Sequence, residues 1–171
     1  CFLGSYSHHV HDQRRQWQDM LFQAAAPLGL TIFDRNSNRR ASKYRYPAMP
    51  WMDVRKALPH DKTPAAYRDY MVSLNVNTVT DSDTMFSRRL VEIMSCAGIA
   101  VTTPAQSVSR LFADHCHIVS SAEAANDLLG RFAKDGASPQ DIAQARAAAA
   151  HVHQHHSWSN RLTQIMNTLN I

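Results

Sequence analysis

The chain has 171 residues, of which 44% are hydrophobic and 19% charged; this is the length of one domain with enough apolar content for a core, which excludes a disordered tail or a low-complexity linker. Lysine and arginine number 18 against 14 acids, a formal charge of +4, which suits a phosphate-bearing partner without requiring a polynucleotide. No apolar run approaches the roughly 18 residues of a membrane span, and three cysteines, Cys1, Cys96 and Cys116, each in an apolar stretch, are expected to be free thiols of a reducing, cytoplasmic compartment.

Phe2 and Leu3 open a short strand running into the loop Gly4-Ser5-Tyr6-Ser7, and the strand is expected to continue a preceding segment. Over residues 12–26, Trp17, Met20, Leu21 and Ala24 recur at helical spacing until Pro27 and Gly29 stop them. Leu30–Asp34 is β-rich and is followed by a polar, basic loop at residues 36–40. Residues 44–53, broken by Pro47 and Pro50, read as irregular, and residues 54–58 as a short third strand. Thr63-Pro64 has the cap-plus-first-turn-proline pattern, continued as a short helix by Tyr67, Tyr70 and Met71. Residues 72–79 alternate apolar and polar like a strand, residues 80–84 supply caps, and 85–96 is a helix ended by Gly98. Strand 99–103, helix 106–112 and strand 117–120 follow. Ser121 caps helix 123–134 with Gly136 as its stop, Ser138-Pro139 opens an Ala-rich helix to about His155, and 158–169 is the last helix. Alternating strands and helices imply an α/β domain with a mostly parallel sheet, closed by two C-terminal helices.

In such a sheet ligands bind beyond the carboxyl ends of the strands. The first candidate is the loop at Gly4 and Ser5, where glycine permits close backbone approach and Ser5 and Ser7 offer hydroxyls. With only five glycines there is no glycine-rich phosphate cradle. The second candidate is loop 77–84, from Asn77 to Thr84, and the helix start at Met85 to Ser87, whose free N–H groups would receive a phosphate or sugar oxygen. Arg88 and Arg89 stand four and three residues before Glu92 among apolar neighbours, so Glu92 is at least partly buried and needs partners: one of those arginines, or a ligand.

Other clusters are less specific. His151 and His155 share a helical face suited to zinc, but no third ligand accompanies them, and no metal is expected. His8, His9 and His11 form a polar run suited to phosphate when protonated. Arg39, Arg40, Lys43 and Arg45, with Tyr44 and Tyr46, would suit RNA by charge and stacking, the alternative being a solvated basic loop; nucleic acid is not the expected partner.

The stretch at residues 74–98, with Leu74-Asn75, Arg89 to Glu92 and Ser95-Cys96-Ala97-Gly98, resembles the C-terminal domain of the CgeB-like (spore maturation protein) glycosyltransferases of GT-B fold. Phe2-Leu3-Gly4-Ser5 with Arg14 or Arg15, Leu30–Asp34, residues 67–75 and His156 to Arg161 agree with further segments of that family. The resemblance implies a Rossmann-like donor domain that binds a UDP-, GDP- or TDP-linked sugar as substrate, with no separate cofactor. An N-terminal acceptor domain of the same polypeptide would lie across a cleft. By position, Glu92 would hold the ribose hydroxyls, Arg89 and Thr84 to Ser87 the diphosphate and sugar, Gly4 and Ser5 would face the diphosphate, and Leu58 would approach the base. Thr84 stands where many retaining GT-B enzymes carry a second glutamate, which leaves a carboxylate's part in recognising the sugar without a residue here. The rival reading is a non-catalytic binding module on the same fold, with RNA on loop 39–46.

Overall fold

The computed structural model describes residues 1–6 and 11–170; Ser7, His8 and His9, singled out above, lie outside the described residues. The order is β1 (Phe2–Gly4), α1 (Asp12–Ala24), β2 (Leu30–Asp34), β3 (Met52–Lys56), α2 (Thr63–Asp69), β4 (Val72–Asn75), α3 (Arg88–Ser95), β5 (Ile99–Thr102), α4 (Gln106–Phe112), β6 (His117–Ile118), α5 (Ala122–Asp135), α6 (Pro139–His155) and α7 (Trp158–Leu169). All strand pairs are parallel, in two three-stranded sheets, β1-β2-β3 and β4-β5-β6. The Cys1 amino group donates to Val72 O at 2.6 Å and Leu74 N donates to Cys1 O at 2.8 Å, the bonding pattern of a parallel pair. These bonds join β1 to β4, so the strands succeed one another as β3-β2-β1-β4-β5-β6.

Successive strand residues point to opposite faces, and both faces are covered. Leu30 and Ile32 of β2 and Ile99 and Val101 of β5 meet Phe2, Leu21, Leu129 and Phe132 in one core, while Phe33 and Ala100 join Tyr67, Leu90, Ile93, Met94 and Phe112 in the other. α1 packs on α5 and α3 on α6, giving three layers, helix, sheet, helix. This is the expected α/β Rossmann-like architecture, with the two C-terminal helices present. Helix starts at the expected serines are satisfied locally: Ser121 Oγ accepts from Ala124 N at 3.1 Å, and Ser138 and Asp141 form a reciprocal capping box. All three cysteines are free, and no described helix is long and apolar enough to cross a membrane.

Several boundaries differ from the expectation, β6 for one stopping at Ile118 instead of residue 120, and for three elements the hydrogen bonds show why. β3 begins at Met52, inside the stretch read as irregular, and ends before Leu58, because its parallel register with β2 sets Leu30 opposite Met52 and Asp34 opposite Lys56. It is an exposed edge strand and so lacks an apolar period. β4 stops at Asn75 instead of reaching Val79. There Thr103 N donates to Asn75 O, and the next donor, Asn77 N, turns to Thr103 Oγ1 at 2.9 Å, which takes the chain off the ladder. α3 starts at Arg88, not Met85. Ser82 Oγ accepts from Thr84 N and Met85 N, Asn77 Oδ1 accepts from Ser87 N, and Ser107 Oγ of α4 donates to Met85 O at 2.6 Å. Those local bonds hold residues 82–87 as loop rather than a helical turn.

Candidate functional site

In the strand order above, the direction of winding reverses between β1 and β4. The loops leaving those two strands therefore diverge and open a crevice at their carboxyl ends. A cavity of about 360 Å³ occupies this place, lined by Ser5 after β1, Val76 and Thr78 after β4, and Met85 and Ser87 before α3. Arg14, Arg35 and Arg89 also line it. A second cavity of about 590 Å³ adjoins it, sharing Arg35, Ser87 and Arg89 and adding Gly4, Phe33, Leu58, Tyr67 and Glu92.

The three arginines reach the crevice from three elements. Arg14, in the first turns of α1, donates to Ser5 O at 3.3 Å and Gln18 Oε1 at 3.1 Å. Arg35 directly follows β2, where its backbone N–H donates to Gly4 O at 2.9 Å. Arg89, in the first turn of α3, lies with its guanidinium carbon 4.6 Å over the Phe2 ring. None of the three has a carboxylate partner among the described residues. Burial pulls the Arg89 guanidinium down to about 10, with Arg14 adding repulsion, and burial followed by Arg35 lowers Arg14. Arg89 therefore stays charged at neutral pH, in a crevice whose uncompensated charge is positive.

Gly4 is required for this approach. A Cβ there would stand 2.7 Å from Phe2 Cε1 and 2.8 Å from Arg89 Nη2, closer than real Cβ atoms come to other heavy atoms. Glu92, on the same helix as Arg89, is half-buried; its Oε1 pairs with Arg88 Nε at 2.9 Å, and Tyr67 Oη donates to Oε2 at 3.5 Å. The structural partner of Glu92 is thus Arg88, not Arg89. Arg88 is 85% exposed and Glu92 27%, and so exposed a pair contributes only about 0–1 kcal/mol. The carboxylate keeps capacity to accept from hydroxyls in the cavity.

Of the residues singled out from sequence, Gly4, Ser5, His11, Leu58, Met85, Ser87, Arg88, Arg89 and Glu92 line these two cavities. Asn77 and Thr84 do not. Asn77 is buried beneath the loop, where its amide donates to Thr102 Oγ1 at 3.1 Å and Thr103 O at 2.7 Å while its Oδ1 holds Ser87 N at 3.3 Å. Thr84 is exposed. Between Arg14 and Arg15, it is Arg14 that faces the cavity, Arg15 pairing with Asp12 at 3.6 Å. Sequence reading missed Arg35 and Tyr67 as site residues. For Arg35 a signal existed, a cation directly after the carboxyl end of a predicted strand; for Tyr67 the helical period marked only core.

The remaining clusters resolve differently. Among the described residues no group of three histidine, cysteine or acidic side chains is placed to hold a metal ion. In the basic loop, Arg39 and Lys43 lie 4.8 and 5.3 Å from the Tyr44 ring centre, so the ring suited to a base already carries cations of its own chain.

Comparison with known proteins gives three findings. The family described as glycosyl transferase-like matches residues 14–167. No curated protein matches by sequence. A crystal structure of a glycosyltransferase from Rickettsia africae ESF-5 superposes on 98% of this chain with a TM-score of 0.67 at 11% identity, and the chain spans 46% of that protein's length; at that identity the likeness is one of fold.

Proposed function

Because the chain belongs to the glycosyl transferase-like family, matched over residues 14–167, we propose that its paired cavities hold a nucleotide-diphosphate sugar, the donor in glycosyl transfer. The observation that carries this reading is the convergence of Arg14, Arg35 and Arg89, without carboxylate partners, at the point where the sheet reverses its winding. Guanidinium groups bind phosphate oxygens in bidentate fashion. When the bond from the anomeric carbon to the diphosphate breaks, negative charge grows on the departing phosphate oxygen, and donors already in place around it lower the barrier. Three guanidiniums supply that charge, so the reading calls for no metal.

Glu92 accepts the ribose hydroxyls in this reading, with Tyr67 orienting its carboxylate, and the base lies toward Leu58 and Phe33. The acceptor sits on a further N-terminal domain of the same polypeptide, which completes a GT-B cleft in the manner of the CgeB-like enzymes; the whole operates in the cytoplasm. Titration calorimetry with UDP, GDP and TDP tests the proposal. At least one should bind, Arg89→Gln should weaken it about ten-fold or more, and Glu92→Ala should weaken that nucleotide while leaving pyrophosphate unchanged. Binding by none of the three, or a Glu92→Ala protein indistinguishable from the parent, would sink it.

A further inference from the structure

A second cationic cavity lies at the junction of α4, α6 and α7, and it shares no lining residue with the pair described above. Its volume is about 650 Å³. Arg110 of α4, His151 and His155 of α6, His156 just after it and Arg161 of α7 line it, and no aspartate or glutamate does. His151 is the centre of a group of rings: it lies 4.9 Å from His155 and 5.3 Å from His156, and stacks 4.2 Å from His115, in the turn after α4.

The charges here are left uncompensated. Arg110 donates to the Asp83 carbonyl at 3.2 and 2.8 Å, and Arg161 to Gln164 Oε1 at 2.7 Å and to the His156 ring. Both guanidiniums are thus held by neutral acceptors, and among the described residues neither has an ion pair. The charged groups acting on the His151 and His156 rings are also basic: His115, His155, each other and Arg161. Burial first, and those neighbours second, hold both imidazoles below their ordinary range, His156 at about 4. Ser159 and Asn160 in the first turn of α7 and Thr163 one turn on add hydroxyl and amide groups to the wall, with the positive end of that helix beside them.

We infer that this cavity binds a small phosphate monoester carrying hydroxyls, of sugar-phosphate size, at a site separate from the donor crevice. A dianion between Arg110 and Arg161 compensates both charges at once, and the serine, threonine and amide groups suit the polyol. Bringing it against His151 favours the protonated form of that ring, so binding takes up a proton there. The charged groups acting on the His151 ring, His115 and His155, are basic and oppose its protonation until the anion arrives.

Imidazole ¹H–¹⁵N spectra of the labelled protein read the site directly. At constant ionic strength, inorganic phosphate and glucose 6-phosphate should give saturable shifts at His151, His155 and His156, with glucose 6-phosphate the tighter; glucose alone should give none. Referred to the concentration of the dianion at each pH, since the ester's own second ionisation lies at about 6, affinity should rise as pH falls from about 7.5 to about 6.0. Arg161→Gln should weaken binding about ten-fold and the exposed Arg110→Gln about three-fold, while Arg89→Gln leaves it unchanged. The inference is overturned if no shift saturates by about 20 mM ester, if potassium chloride reproduces the shifts, or if both arginine variants bind like the parent. It is equally overturned if phosphatidylcholine vesicles bind only when they carry phosphatidic acid and the soluble esters do nothing, since the source would then be a lipid headgroup.

Discussion

Replacing Gly4 by alanine adds a single methyl group at a position where core and candidate site meet. The added Cβ would lie 2.7 and 2.9 Å from two atoms of the Phe2 ring and 2.8 Å from Arg89 Nη2. Phe2 is fully buried and meets Phe22 edge-on at 5.1 Å, so the ring has no room to withdraw; the guanidinium, at the far end of a flexible side chain, is what moves. Two costs follow. Overpacking against Phe2 costs about 1–3 kcal/mol of folding stability, and Arg89 leaves its seat over the ring, a contact of about 0.5–2 kcal/mol. Loss of one charge-assisted hydrogen bond to phosphate is about 1.5–3 kcal/mol, or about ten- to one-hundred-fold in affinity. Urea denaturation and UDP calorimetry on Gly4→Ala measure the two effects. Gly130→Ala is the control: it lies in α5 with nothing within 4 Å of its added Cβ and should gain about 0.5–1 kcal/mol from helix propensity. A Gly4→Ala protein with parental stability and parental UDP affinity would refute the packing argument and the role given to Arg89.

The Asp141 carboxylate, 5% exposed, takes Arg131 in bidentate fashion at 2.9 and 3.0 Å and Ser138 N at 2.8 Å, and Arg131 is the chief reason its pKa is held well below the usual carboxylate range. Asp141→Asn should cost about 2–3 kcal/mol at pH 7, less than the roughly 3–5 kcal/mol of a fully buried pair because Arg131 is 36% exposed. A depressed folded pKa stabilises above the unfolded value of about 3.9 and is lost as pH falls through the folded one. The gap between parent and variant in urea midpoints should therefore narrow below pH about 4, and a gap constant from pH about 7 to about 3 would contradict the assignment. Ser107→Ala removes the 2.6 Å bond to Met85 O; it should cost about 1 kcal/mol and speed hydrogen exchange at the Met85 and Ser87 amides, which unchanged protection would disprove.

Much of the layered architecture was legible locally. Helical spacing over α1, α5 and α6, the serines at 121 and 138, and the run Arg89 to Glu92 all depend on neighbours within a few residues, where period and cap chemistry act. The failures are places where distant groups decided. Met85 does not begin α3 because Ser107, twenty-two residues away, takes its carbonyl, and β4 ends early because the Thr103 hydroxyl, on the segment after β5, takes the Asn77 N–H.

The candidate site divides in the same way. The sequence alone determined that Arg89 and Glu92 share a helix and that Gly4 and Ser5 end a strand. Tertiary structure decided that Arg14 and Arg35 come to Arg89, that Arg88 rather than Arg89 pairs with Glu92, and that Asn77 lies under the loop instead of in the cavity. Helix and strand periods are short-range properties of the chain, whereas the meeting of α1, β2 and α3 depends on β1 lying beside β4, and hydrogen bonds spanning more than seventy residues set that neighbour.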